Sequence, residues 1–254
     1  MFDKNLYFAT LNTQKLGRNF LYFQSIDSTN TYAIENKLPY GSIVFADMQI
    51  KGKGRSNRKW SSISDQNIYF SCVLGDIKPE NLLQLNIIIG YAVCDVLRKY
   101  ADCYLKWPND IMVNNKKAGG ILIETKFSGN HLEKVIFGIG INVNNTHFED
   151  VLKDIATSLK IVSGKDLSRE ILLAELVNEL EIKIEQLKNN FIDLKKLWAF
   201  YSCCLNKEIS VTVDNKKNIF IEKGINDYGG LIVSDKSGIE RVLYSGDIGY
   251  DFCS

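Results

Sequence analysis

Between Gln49 and Trp60 the chain reads Gln-Ile-Lys-Gly-Lys-Gly-Arg-Ser-Asn-Arg-Lys-Trp. Five cations, Lys51, Lys53, Arg55, Arg58 and Lys59, surround Gly52 and Gly54 with no acid among them. Glycine lets backbone N–H groups approach an anion, lysine and arginine add charge-assisted hydrogen bonds, and an indole packs against a flat ring. The segment therefore suits a nucleotide phosphate. It is not a P-loop, because G-x-x-x-x-G-K-[ST] is absent, and Gly52-x-Gly54 lacks the third glycine of a dinucleotide fingerprint. A solvated basic loop, or a patch for RNA or DNA, has the same composition.

Four other places carry polar chemistry, each with a plain structural reading beside it. Ser28, Thr29 and Asn30 stand where a helix would start, so capping alone explains them. In Lys106-Trp107-Pro108-Asn109-Asp110, Pro108 pushes Trp107 out of helical geometry and sets a turn presenting Asn109 and Asp110. Lys117 follows a hairpin signal at Asn114-Asn115, where most lysines are solvated, and precedes Gly119 and Gly120. Gly138 and Gly140 interrupt an apolar strand ending at Asn142; packing explains them, as does a ligand lying against backbone.

The elements that must position these residues are mixed. Apolar β-rich runs at Phe20–Ile26, Ser42–Ala46, Ile68–Leu74, Ile121–Glu124 and Val135–Val143 read as strands, and Asn81–Tyr100 as a helix. Asp166 or Ser168 caps a second helix with a core-facing stripe of Leu173, Leu176, Val177, Leu180, Ile184 and Leu187. After Trp198 short alternating segments at Glu208–Val213, Asn218–Glu222, Leu231–Val233 and Arg241–Tyr244 are separated by turns at Asp214-Asn215, Gly229-Gly230 and Ser237-Gly238, a pattern for a small β-barrel.

Composition sets outer bounds. At 254 residues, 45% hydrophobic and 24% charged, the chain has ordinary globular usage and room for one large domain, or a medium one plus a small one. A net charge of +1 argues against whole-protein attraction to nucleic acid or membrane, so an anion site must be local. Apolar stretches such as Leu85–Ala92 fall short of the roughly 20 residues of a membrane span, and the N-terminus lacks a signal-peptide pattern. The expected location is the cytoplasm. Six cysteines without a C-x-x-C pair, and only two histidines, make a zinc site improbable; they read as reduced thiols filling the core.

Gly52-Lys53-Gly54-Arg55-x-x-Arg58-x-Trp60 resembles the adenylate-binding loop of the biotin–protein ligase family, which often reads G-R-G-R-x-x-R-x-W. Four further blocks match in the family's order: Asp27-Ser28-Thr29-Asn30, Lys106-Trp107-Pro108-Asn109-Asp110-Ile111, Lys116-Lys117-Ala118-Gly119-Gly120-Ile121-Leu122, and Gly138-Ile139-Gly140-Ile141-Asn142-Val143-Asn144. The resemblance implies an α+β fold: a mixed β-sheet catalytic domain with flanking helices, like class II aminoacyl-tRNA synthetases and biotin ligases, over residues 1–203, and a small C-terminal SH3-like β-barrel over residues 204–254. It implies an ATP-dependent ligase that makes biotinyl-AMP with release of pyrophosphate. Biotin then passes to a lysine of the biotin carboxyl carrier domain of a biotin-dependent carboxylase.

By the same resemblance, Ser28, Thr29, Asn30 and Gln49 reach the biotin head group, with Gly120, Leu122, Gly138 and Ile141 completing its pocket. Gly52, Lys53, Gly54 and Arg55 lead toward the carboxylate and the α-phosphate, and Arg55, Arg58, Trp60, Asn109, Asp110 and Asn142 hold the adenylate. Lys117, Arg55 and Asp110 are the expected catalytic residues. Lys117 neutralises the biotin carboxylate and the anionic transition state, while Asp110 is left between orienting the incoming amine and holding Mg²⁺ through water. Lys53 departs from the arginine many bacterial members carry, keeping charge but losing the bidentate fork.

Bifunctional members place a DNA-binding domain of about 60 residues ahead of the Ser-Thr-Asn block. Only 27 residues precede Ser28, so no operator binding is expected. Monomer and homodimer stay equally open. The rivals are a lipoate–protein ligase, which an acyl-adenylate made from lipoate but not biotin would reveal, and a non-catalytic RNA-binding module with steep salt dependence and no ATP turnover.

Overall fold

The computed structural model describes residues 2–249 except Asp76, Asn130, Asn190, Asp214 and Asn215; the turn expected at Asp214-Asn215, and Cys253, lie outside the described residues. Its frame is a seven-stranded mixed sheet of β1 (Phe20–Ile26), β2 (Ile43–Gln49), β3 (Ile68–Leu74), β4 (Cys103–Lys106), β5 (Asp110–Val113), β6 (Lys116–Ser128) and β7 (His131–Ile141), in the order β1-β2-β3-β7-β6-β5-β4. Only β1 and β2 run parallel, so a crossover must join them, and α2 (Thr29–Glu35) lies in it. Asn114 and Asn115 both adopt positive φ, as a two-residue turn between β5 and β6 requires.

Strand alternation assigns the two faces. On one face, Ile43 and Phe45 of β2, Phe70, Cys72 and Leu74 of β3, and Val135, Phe137, Ile139 and Ile141 of β7 join the main core. That core is covered by α3 (Leu82–Leu97), α5 (Arg169–Lys188) and α6 (Leu194–Tyr201). On the other face Val44, Val73 and Ile136 pack under Ala33 of α2. The even-numbered positions of β7, Gly138 and Gly140, share this second face, which is where the site forms.

The stretch from Pro79 to Leu97 is 19 residues long and, by length and composition alone, apolar enough to cross a membrane. It is mostly buried between the sheet and α5, the setting of a core helix. Helix α5 takes Ser168 as its cap: the Ser168 hydroxyl accepts the Ile171 N–H at 3.3 Å, while Asp166 pairs with Lys160 instead. Ser168→Ala should cost about 1 kcal/mol of stability, read as a lower urea midpoint at unchanged slope. The helices α1 (Lys4–Thr10) and α4 (Leu159–Ser163) carry no apolar stripe long enough to announce them; Asp3 and Ser158 cap them.

The C-terminal region is a five-stranded antiparallel sheet of β8 (Glu208–Val213), β9 (Lys216–Ile225), β10 (Leu231–Ser234), β11 (Glu240–Leu243) and β12 (Asp247–Ile248), in the order β11-β10-β9-β8-β12. Its inward residues Ile209, Val211, Leu231, Val233 and Ile248 belong to the same hydrophobic cluster as the large sheet. Two tryptophans stitch the junction: Trp107 Nε1 donates to the Gly229 carbonyl at 3.2 Å, and Trp198 Nε1 to the buried Glu222 at 2.8 Å. The small sheet is thus docked through a shared core. Four of the five described cysteines, Cys72, Cys94, Cys103 and Cys204, are buried in this fold.

Candidate active site

A cavity of about 480 Å³ opens over the second face of the large sheet, within the roughly 300–1,000 Å³ typical of small-molecule sites. Its floor follows from register. Gly120 of β6 pairs with Gly140 of β7, and Leu122 with Gly138, so three missing side chains leave a bare patch of sheet. The Trp60 indole fills the part of it over Gly120 and Gly140: a methyl on Gly140 would stand 2.6 Å from Trp60 Cε2, and one on Gly120 3.1 Å from Cζ3. These glycines are required by close approach rather than by turn geometry.

The basic segment is held by its own backbone. Gly54 N–H donates to the Arg58 carbonyl at 2.7 Å and Trp60 N–H to the Gly52 carbonyl at 2.9 Å, closing a clasp around a 3₁₀ turn at Arg55–Asn57. Ser56 and Asn57 sit at positive φ in that turn. Gly52 does not line the cavity; a side chain there would meet the Trp60 carbonyl at 2.7 Å, so it shapes the clasp. Lys53, Gly54, Arg55, Arg58 and Trp60 do line it. Lys53 lies at the rim, 3.8 Å from Glu124, so the lysine acts there as a single point charge.

At one end of the cavity Ser28 caps α2 by accepting the Thr31 N–H, bringing Thr29 and Asn30 onto the sheet. Gln49 Oε1 accepts from Thr29 N–H at 2.9 Å and from its hydroxyl at 3.1 Å, leaving Gln49 Nε2 without a protein partner among the described residues. Asn30 is pinned by Glu124, the Leu122 carbonyl and Ser71, and its carboxamide lies where a Gly138 side chain would stand. Short polar groups therefore converge on one pole, with donors still free.

The middle is a chain of charges. Asp110 at the start of β5 is buried, with Lys106 Nζ 3.1 Å from one carboxylate oxygen and Lys117 Nζ 2.5 Å from the other. Lys117 is a quarter exposed, with its ammonium 5.4 Å from the Trp60 ring centre, a cation–π distance that fixes it over the cavity. Asn109 donates to the Ile121 carbonyl at 2.7 Å and presents Oδ1 3.5 Å from Arg55 Nη1. Burial draws the Arg55 pKa below the ordinary arginine range, and the Asp247 carboxylate opposes that shift; a guanidinium stays charged throughout.

The far end is lined by Trp60, Phe148, Leu152, Ile155 and Ala156, an apolar slot suited to a flat ring. Asn142 opens it, its Nδ2 donating to the Thr157 carbonyl at 3.0 Å. Beside it the Asn145 carboxamide is 1% exposed, and its Oδ1 has no hydrogen-bonding partner among the described residues. The Trp60 indole N–H is likewise unpaired. Buried polar atoms left without partners cost free energy that a ligand can return.

Of the expected residues, Ser28, Thr29, Asn30, Gln49, Lys53, Gly54, Arg55, Arg58, Trp60, Asn109, Asp110, Lys117, Gly120, Leu122, Gly138 and Asn142 surround this one cavity. Ile141 does not: strand alternation turns it into the main core, fully buried, and its expected contact with a ligand is corrected accordingly. Ser71, Glu124, Asn145 and Asp247 were not anticipated. A lone hydroxyl in the apolar run Ile68–Leu74 and the even spacing Gly120, Leu122, Glu124 were available signals; Asp247, in the other sheet, had none. Among the described residues no three carboxylate, histidine or cysteine side chains cluster as a metal site.

A model of the biotin/lipoate A/B protein ligase family matches residues 22–142. The chain is 34% identical over 247 residues to the bifunctional ligase/repressor BirA of Bacillus spizizenii, covering 94% of this chain and 76% of that protein. It is 28% identical over 216 residues to the biotin--[acetyl-CoA-carboxylase] ligase of Mycobacterium tuberculosis, covering 82% and 78%. Among solved structures, the biotin protein ligase from Aquifex aeolicus in complex with biotin and ATP aligns at a TM-score of 0.82 and 31% identity, over 91% of this chain and 98% of that one.

Proposed function

Because the chain belongs to the biotin/lipoate A/B protein ligase family, we propose that its cavity joins biotin to AMP and that Lys117 is the cation on which the joining depends. The protein is an ATP-dependent biotin–protein ligase. In the first step a biotin carboxylate oxygen attacks the α-phosphorus of ATP and pyrophosphate leaves. In the second, a carrier lysine amine attacks the carbonyl of the mixed anhydride, the amide forms, AMP departs and the amine proton is lost. Negative charge grows on oxygen in both, so preorganised cations and positioning supply the catalysis.

The observation that carries the reading is the Lys117 ammonium, fixed between Asp110 at 2.5 Å and the Trp60 ring while retaining donors toward the cavity. Asp110 holds Lys117 and Lys106, Arg55 faces the α-phosphate, Asn142 and the apolar slot take the adenine, and the Ser28–Asn30 and Gln49 pole takes the ureido ring. That pole also favours biotin over lipoate, since a ureido ring offers N–H and C=O groups to Gln49 Nε2 and the Ser28 hydroxyl, whereas a dithiolane offers neither.

Mg²⁺ does not fit as a direct ligand of Asp110, because both carboxylate oxygens are already paired with ammonium groups. The metal is instead expected to arrive on the phosphates of ATP, keeping its own waters. We further read residues 204–254 as an SH3-like module, on the five antiparallel strands. The carrier domain of a biotin-dependent carboxylase is the protein substrate, and the buried thiols of Cys72, Cys94 and Cys103 fit a reducing cytoplasm. The test is ATP–pyrophosphate exchange: biotin should support it, and exchange supported by lipoate alone would overturn the assignment.

A further inference from the structure

The last described strand of the small sheet points a row of acceptors at the cations of the large one. The Ile248 carbonyl accepts from Lys106 Nζ at 2.7 Å, and the Gly246 carbonyl from Arg55 Nη1 at 3.3 Å. Between them Asp247 Oδ1 accepts from Arg55 Nη1 at 3.1 Å and from Arg58 Nη2 at 2.8 Å. Two guanidiniums converging on one oxygen repel each other, so without an anion between them the clasp that carries both would splay. Resting on the ligase reading above, we propose that Asp247 is a positioning residue for the first half-reaction: it holds Arg55 and Arg58 over the cavity before ATP arrives, so that the small sheet completes the phosphate site.

The donor count decides between holding and blocking. Among the described residues, every contact of the Arg55 guanidinium uses Nη1, to Asp247, Gly246 and, at 3.5 Å, Asn109. Its Nε and Nη2 donors remain for a phosphate, so the carboxylate need not leave when nucleotide binds. Asp247 is itself fixed through β12, which pairs with β8 at Asp247–Thr212 and Ile248–Val211. A carboxylate on a paired strand is a firmer anchor than one on a free loop.

Two measurements on the whole chain test this with Asp247→Asn and Asp247→Glu. In pyrophosphate exchange at saturating biotin, Asp247→Asn should raise the KM for ATP about tenfold with kcat within about threefold, and Asp247→Glu should recover most of that affinity. An unchanged KM, or a lower one as expected of an anion that merely competes with phosphate, would overturn the proposal. The second measurement needs no ligand and no knowledge of the acid activated: trypsin cleavage after Arg55 and Arg58, followed by mass spectrometry. Asp247→Asn should speed it about tenfold at an unchanged melting temperature. Equal cleavage in the two variants and the parent sinks the proposal even if biotin is the substrate, whereas faster cleavage in a protein that activates only lipoate keeps it and removes the biotin reading.

Discussion

Lys117→Ala should lower the rate of biotin-dependent pyrophosphate exchange by about 100- to 1,000-fold, the usual range for deleting one preorganised charge donor. Its ammonium is the cavity-facing partner of a buried carboxylate, and after truncation Asp110 keeps Lys106, so the acid is not stranded and the fold should persist. Lys117→Arg should not restore activity. A planar guanidinium cannot take the place of a compact ammonium between Asp110 and the Trp60 ring without moving one of them. Near-normal exchange by Lys117→Ala, with circular dichroism unchanged, would remove it from the reaction.

Gly140→Ala should be the second most damaging change although it adds a single methyl group. That methyl would stand 2.6–2.8 Å from three atoms of the Trp60 indole, a rigid group that cannot fold aside, so the clasp must lift off the sheet. Overpacking of this kind costs about 1–3 kcal/mol, which carried by the clasp is about 5- to 150-fold in apparent ATP affinity. Because Trp60 sits at the cavity rather than in the core, the melting temperature should move little. Adding Trp60→Ala to Gly140→Ala should cost less than the two losses combined, since both remove one contact. Strict additivity would show that the methyl acts elsewhere.

Five of the seven strands of the large sheet were legible because they are uninterrupted β-rich runs, β1 and β3 running from Phe20 to Ile26 and from Ile68 to Leu74 as their sequences predict, whereas the four-residue β4 and β5 are too short to announce themselves around the Pro108 turn. The basic clasp was legible because its charge is local, and the glycines of β6 and β7 because glycine inside an apolar strand calls for an explanation. Ile141 shows the limit of motif reading, since a block of consecutive residues on a strand necessarily sends every second side chain away from the ligand. Asp247 shows a different limit. It lies nearly 200 positions from Arg55 in the chain, and only the docking of the small sheet through Trp107 and Trp198 brings the two together.

The position of Trp60 also gives the molecule an optical reporter of its own. Of three tryptophans, Trp107 and Trp198 are 1% and 2% exposed, each with its indole N–H bonded within the protein. Trp60 and Trp107 both border the cavity, but among the described residues it is the Trp60 indole whose N–H is unpaired, with an ammonium over its ring. A shift in intrinsic emission on adding biotin or ATP that Trp60→Phe abolishes would therefore come from the clasp, and its time course would follow loop ordering in unlabelled protein.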